Sequence, residues 1–251
     1  MKYAQIIFSP TGGTEKVAKA ITQNWGQIET IDLALPDTDY SKISFESDCL
    51  VLIVMPSFGG LAPQLALDRL SMVQGNGARC VIAAVYGNRA YEDTLIQMQD
   101  NAQAADFQVI AAVSAVAEHS IIHKYAAGRP DLTDCKKLAE FGNQILEKAD
   151  SGTLSTPAVP GNRPYKKAGA GMIPKANSSC TSCGLCAQKC PVGAISEDQL
   201  KLSDKNKCIS CMRCVSVCPV HARNVSRLMT SIADAAIKSA CSVKKENELF
   251  I

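Results

Sequence analysis

The sequence predicts an α/β protein in two parts: a doubly wound parallel sheet of five strands, followed by a small cysteine-rich α+β module. Three observations lead there. Five short apolar runs alternate with longer amphipathic stretches through residues 1–150. One of the runs, Leu50-Val51-Leu52-Ile53-Val54, is apolar at every position, as a strand buried on both faces must be. Eight of the twelve cysteines crowd between Cys180 and Cys218, while Cys49, Cys80, Cys135 and Cys241 stand alone.

Length and period place strands at Tyr3–Phe8, Thr30–Leu33, Cys49–Met55, Cys80–Val85 and Val109–Val116. They place helices at Thr14–Trp25, Pro63–Gln74, Tyr91–Ala105 and Asp131–Ala149. Repeated strand–helix order gives a parallel sheet with helices on both faces. Such a sheet binds ligands beyond the carboxyl ends of its strands. Ser151–Lys175 is rich in Gly, Pro and Ser with no apolar period and reads as a linker. It separates a domain at 1–150 from a module at 176–224, and a helix and tail at 225–251 close the chain. There Val225, Leu228, Met229, Ile232, Ala236 and Ile237 recur at helical spacing, a stripe expected to pack on the rest of the protein. The run Lys244-Lys245-Glu246-Asn247-Glu248 reads as a solvated end.

Composition narrows the function. Across 251 residues the net charge is only +2, which speaks against nucleic acid and against a strongly anionic membrane surface. No apolar run reaches the roughly 18–20 residues that span a bilayer. Met1–Phe8 is too short for a signal h-region and reads as a buried first strand, so a cytoplasmic protein is expected. No G-x-G-x-x-G or Walker motif is present, and nothing sets an oligomeric state.

The cysteine blocks carry the most specific signal. Cys180, Cys183, Cys186 and Cys190 precede Pro191, and Cys208, Cys211, Cys214 and Cys218 precede Pro219. Both blocks read C-x2-C-x2-C-x3-C-P, and the second begins 28 residues after the first. Ser182/Ser210, Val192/Val220 and Ala194/Ala222 also match in register, which makes an internal repeat. Three cysteines at steps of three let one tight loop wrap three iron corners of a cubane, while the fourth points to another cluster. Zinc sites use two cysteine pairs across a longer gap and do not share this pattern. The segment resembles the bacterial-type two-[4Fe–4S] ferredoxins over about 45 residues. The resemblance implies one cluster on Cys180, Cys183, Cys186 and Cys218 and a second on Cys208, Cys211, Cys214 and Cys190.

Ahead of it, Ser9-Pro10-Thr11-Gly12-Gly13-Thr14 joins the first strand to a helix. Such a loop offers hydroxyls and amides to a phosphate, or simply caps the helix. It resembles the flavodoxin loop (Ser/Thr)-x-Thr-Gly-x-Thr, with Ser9, Thr11 and Thr14 on the hydroxyl positions. Pro56-Ser57-Phe58-Gly59-Gly60 follows the third strand, and Tyr86-Gly87-Asn88-Arg89-Ala90-Tyr91 the fourth. In the flavodoxin fold these loops border the isoalloxazine ring. The chain is thus similar, over residues 1–225, to the flavodoxin–ferredoxin fusions of anaerobic microbes. That implies a flavodoxin-like sheet in the order 2-1-3-4-5, an FMN, and a ferredoxin-like domain with two [4Fe–4S] clusters. The function implied is a relay of single electrons between the clusters and FMN, serving protein redox partners such as a ferredoxin or an oxidoreductase. A flavin-dependent reductase of a small-molecule acceptor is the other reading.

Overall fold

The structure is a computed structural model that describes residues 1–167, 169 and 171–251. Five parallel strands, β1 (Lys2–Ile7), β2 (Ile28–Asp32), β3 (Cys49–Pro56), β4 (Arg79–Tyr86) and β5 (Gln108–Val116), alternate with four helices. These are α1 (Gly13–Ile21), α2 (Gln64–Leu70), α3 (Thr94–Ala104) and α4 (Leu132–Asp150). The strands run in the order β2-β1-β3-β4-β5, so the sheet is the flavodoxin-like one.

Strand β3 shows why its run is wholly apolar. Val51, Ile53 and Met55 enter the core beneath α2 and α3, with Ala66, Leu67 and Met98. Leu50, Leu52 and Val54 enter the opposite core, with Val17, Ile21, Leu138 and Ile145 of α1 and α4. Side chains alternate faces along a strand, so neither face can be polar. The α1–α4 contact is close at Gly142, where a Cβ would lie 1.9 Å from the Ile21 carbonyl oxygen.

The tail departs from the expectation of a solvated end. Residues Glu248–Phe250 form β8, a sixth and antiparallel strand on the free edge of β5. The reason is that its polar groups find protein partners in place of water. Asn247 accepts from the Val116 amide and donates to Asp134 Oδ1, each at 2.9 Å. Glu248 accepts from Ser114 Oγ at 2.8 Å and from the Tyr91 hydroxyl at 3.0 Å. The tail covers an edge that would otherwise present unpaired backbone groups.

The connection after α4 carries no helix or strand among the described residues before Lys175, yet it is strapped along α3. Pro157 O accepts from Gln99, the Asn162 and Lys166 amides donate to Asp93, and Arg163 pairs with Asp100. The module beyond is small: β6 (Lys175–Ala176), α5 (Leu185–Gln188), α6 (Arg213–Ser216) and β7 (Arg223–Asn224). Strands β6 and β7 pair antiparallel.

Helix α7 (Arg227–Cys241) follows. Its apolar stripe does not pack as expected: Leu228 is 70 %, Met229 49 % and Ile232 56 % exposed. The helix meets the body along Ala233, Ile237 and Cys241, which join Ile122 and Tyr125. Tyr125 and Lys124 also bind Asp234, and this polar anchor turns the helix away from its more apolar line. Among the described residues no helix is long and apolar enough to cross a membrane.

Candidate functional site

The two cysteine blocks fold as copies of one another. Left-handed backbone recurs 28 residues apart, at Ser182 and Ser210, Gly184 and Met212, and Gly193 and His221. Helices α5 and α6 then start at equivalent positions behind Gly184 and Met212. The left-handed residues bend each C-x2-C-x2-C stretch into a loop, and the proline after the fourth cysteine turns the chain out.

Each loop borders a hollow. One is lined by Cys180, Cys183, Cys186 and Cys218, beside Gly184, Leu200 and Arg223. The other is lined by Cys190, Cys208, Cys211 and Cys214, beside Pro191, Ile195 and Ile209. The crossed pattern is therefore present in the fold: the last cysteine of each block closes the hollow of the other. Among the described residues no three His, Cys, Asp or Glu side chains converge tightly enough for a single ion. The thiols instead surround a space, which suits a multi-iron group.

The hollows also present donors to sulfur. The Ala194 amide lies 3.3 Å from Cys190 Sγ and the Ala222 amide 3.2 Å from Cys218 Sγ, again in register. Burial raises the Cys218 thiol, but the amides of Arg223, Ala222 and Val220 outweigh it and leave the thiol below its ordinary value. Burial pushes Cys211 up to about 12. It raises Cys214 as well, against the pull of the Arg223 charge and hydrogen bond.

The loop after β1 lies against this module. Arg213 Nη1 donates to Ser9 O at 3.1 Å, and Ser216 Oγ donates to Pro10 O at 3.3 Å. Ser9 Oγ accepts from the Glu15 amide at 2.9 Å. Gly12 precedes α1 at φ +89° with no side-chain cap, and a Cβ there would meet open space. Among the described residues the amides of Gly12, Gly13 and Thr14 have no hydrogen-bond partner. Thr11 is exposed and Thr14 buried. An uncapped nine-residue helix with open space at its start fits a phosphate group.

The two remaining loops stand at the same end of the sheet. Pro56 ends β3, Ser57 Oγ accepts from Thr94 Oγ1 at 2.8 Å, and Phe58 packs on the apolar core. Gly59 and Gly60 are both left-handed, and Glu92 fills the space a Gly60 side chain would need. Tyr86 stacks edge-on to Tyr91 at 5.2 Å. The other side chains of the loop have protein partners. Asn88 donates to Cys241 O and Val243 O and accepts from the Lys245 amide. Arg89 pairs with Glu92 at 2.7 Å, and Tyr91 donates to Glu248. Gly87 lies under the His119 ring. His119 Nδ1 accepts from the amides of Ile121 and Ile122, a neutral role that suits the fall in its pKa on burial.

Sequence reasoning missed three residues that organise this end: Arg213, Arg223 and Asn247. For Arg223 a signal existed, because it breaks the repeat. Its counterpart 28 residues earlier is Ile195.

Residues 179–223 match the 4Fe-4S dicluster domain family. No curated protein sequence matches the chain. Among solved structures it is similar to a flavodoxin from the domain Archaea, 14 % identical with TM-score 0.43, covering 60 % of this chain and 99 % of that one. It is also similar to the oxidised flavodoxin 2 of Bacillus cereus, 12 % identical with TM-score 0.43, covering 59 % and 99 %. A further likeness is to the NADPH-quinone reductase of P. pentosaceus, 10 % identical with TM-score 0.39, covering 58 % and 97 %. The fold itself is fixed by strand order. The chain thus joins a sheet of flavodoxin strand order to a 4Fe-4S dicluster segment.

Proposed function

We propose that this chain relays single electrons between two [4Fe–4S] clusters and an FMN, and serves protein redox partners. One cluster is held by Cys180, Cys183, Cys186 and Cys218, the other by Cys190, Cys208, Cys211 and Cys214. Ser9, Thr11 and Thr14, with the amides of Gly12 and Gly13, receive the FMN phosphate. The 56–60 and 86–91 loops border the ring. When bound, FMN supplies a centre that takes one or two electrons, whereas each cluster passes one. The chain's own residues set the distances and exclude water; none needs to act as a general base.

The observation that carries this reading is the contact of Arg213 and Ser216 with the carbonyls of Ser9 and Pro10. It sets the Cys208–Cys214 loop beside the phosphate loop, so the second cluster is the one nearer the flavin. Ile209, within that loop, also packs on the sheet core. The test is anaerobic purification followed by iron, acid-labile sulfide and flavin assay, then rapid-mixing reduction by dithionite-reduced ferredoxin. The expected result is about eight irons and one FMN per chain, with flavin bleaching after the clusters. Eight irons with no flavin, even after FMN is supplied, would remove the relay.

A further inference from the structure

Arg223 is a buried cation without a carboxylate. The residue is 1 % exposed. Nη1 donates to Leu200 O at 2.5 Å and reaches Cys186 Sγ at 3.5 Å. Nη2 donates to Ser203 Oγ at 2.5 Å and to the carbonyls of Pro174 and Leu202 at 3.3 Å each. Nε is enclosed and has no hydrogen-bond partner. Among the described residues no acid pairs with this guanidinium, and all its oxygen acceptors are neutral. Removing an unpaired charge from water is strongly unfavourable, so the fold is missing an anion at this place.

The surroundings say which anion. Arg223 lines the hollow of Cys180, Cys183, Cys186 and Cys218. The other hollow has Ile195 at the equivalent position, and Ile195 is 5 % exposed. Two halves that match at every cysteine therefore differ at this buried site, with a cation in one and an alkyl chain in the other.

We propose that Arg223 is the counter-charge of the cluster held by Cys180, Cys183, Cys186 and Cys218, and a positioning residue that raises that cluster's reduction potential above its partner's. This rests on the two-cluster reading above. A cluster ligated by four thiolates is anionic and gains a further negative charge on reduction, so a fixed cation beside it favours the reduced state. The Nε–H and the Nη1–H facing Cys186 are the donors available to its sulfurs. The neighbouring cluster feels the same charge through Cys214, which Arg223 also reaches, but Arg223 lines only the first hollow. Cys183, at the rim of the first hollow, is exposed, so the higher potential falls at the end open to an external donor. The loop that carries the second set of cysteines is the one that touches the loop after β1, through Arg213.

The experiment is a redox titration of both clusters by electron paramagnetic resonance in the full-length, cluster-loaded protein. Wild type is compared with Arg223→Lys and Arg223→Gln. Both variants lose the planar fork, but only Lys keeps the charge. In Arg223→Gln the higher of the two midpoints should fall by at least tenfold in the one-electron equilibrium, or 59 mV, and the lower midpoint by less. In Arg223→Lys the fall should be less than half as large. Equal shifts in Lys and Gln, or no shift in Gln, would overturn the proposal. Complete iron loss in both would also overturn it, since hydrogen-bond geometry rather than charge would then hold the site. Failure of the two-cluster reading shows separately, as fewer than eight irons in the wild type.

Discussion

Replacing Asn247 with alanine should release the tail without unfolding the sheet. Asn247 is 2 % exposed. Its Oδ1 is the acceptor for the buried Val116 amide, and its Nδ2 donates to Asp134. Alanine leaves the amide without a partner, a loss of about 1–3 kcal/mol. Asp134 loses one donor but keeps Arg129 and the Asp131 amide, so this part is smaller, about 1 kcal/mol. The sum, roughly 2–4 kcal/mol, is a ~30- to 700-fold rise in local opening. Complete loss of the tail's hold is not expected, because Glu248 keeps Ser114 and Tyr91. Hydrogen–deuterium exchange of peptides spanning 112–116 and 244–251, in the anaerobic cluster-loaded protein, reads this directly. Exchange should accelerate there and remain unchanged in β1 and β3. Because the Lys245 amide holds Asn88, the 87–91 loop should also exchange faster. Tail exchange within threefold of wild type would show that the edge pairing, not Asn247, secures the strand.

The same cluster of side chains gives a pH dependence. Burial raises the Asp134 carboxyl, but Arg129, the Asp131 amide and Asn247 outweigh it and hold the group at about 2, below its ordinary 3.8. Its contribution of about 2 kcal/mol is complete above pH ~4 and lost as pH falls through ~2. Pepsin should therefore cut the 242–251 segment slowly at pH 4 and quickly near pH 2; an equal rate in Asp134→Asn at both values is the control, and no step in wild type would refute the assignment. Gly184 has φ +76° and lines the hollow of Cys180, Cys183, Cys186 and Cys218, so Gly184→Ala adds backbone strain of roughly 1–2 kcal/mol and sets a methyl beside the proposed cluster. Thermal loss of iron–sulfur absorbance should begin at lower temperature in this variant, and an unchanged onset would show that the left-handed turn carries no strain.

Much of this was legible because the constraints were local. A strand buried on both faces must be apolar throughout, and β3 is found at Cys49–Pro56 against an expected Cys49–Met55. The cysteine blocks were legible because a cubane allows few spacings. Helix starts were less so. The third helix begins at Thr94, not Tyr91, since Glu92 adopts φ +41° and its side chain is taken by Arg89. The second ends at Leu70, because Gln74 turns back to bond Ile43 O. Asn88 illustrates the harder limit. A glycine–asparagine loop looks alike in sequence whether its amide meets a flavin or a peptide, and here the side chain holds the tail 153–157 residues away. The tail was misjudged for the same reason: Lys-Lys-Glu-Asn-Glu is polar, and only distant partners turn it into a strand.

Those distant partners bear on how the two cofactor regions stay together. The direct contacts between module and sheet domain include Arg213 to Ser9, Ser216 to Pro10 and Arg69 to Pro191. At about 1 kcal/mol each, these three hydrogen bonds alone fall short of the 4 kcal/mol or more that separate proteins lose on association, and Ile209 on the sheet core adds to them. The chain supplies the rest. It leaves the sheet domain at α4, runs strapped along α3 through Asp93 and Asp100, builds the module, and returns through α7 to β8 on the edge of β5. Both ends of the module are thus tied to one body, and its weak contacts act at the high effective concentration of an intramolecular encounter. A weak, tethered contact suits the proposed relay, because the cysteine loop stays beside the loop after β1 without an interface large enough to close off the outer hollow at Cys183. On the proposed relay the tail strand has a functional weight its length conceals: cutting it would free one end of the module and lower the rate of internal transfer before it lowered the stability of either part.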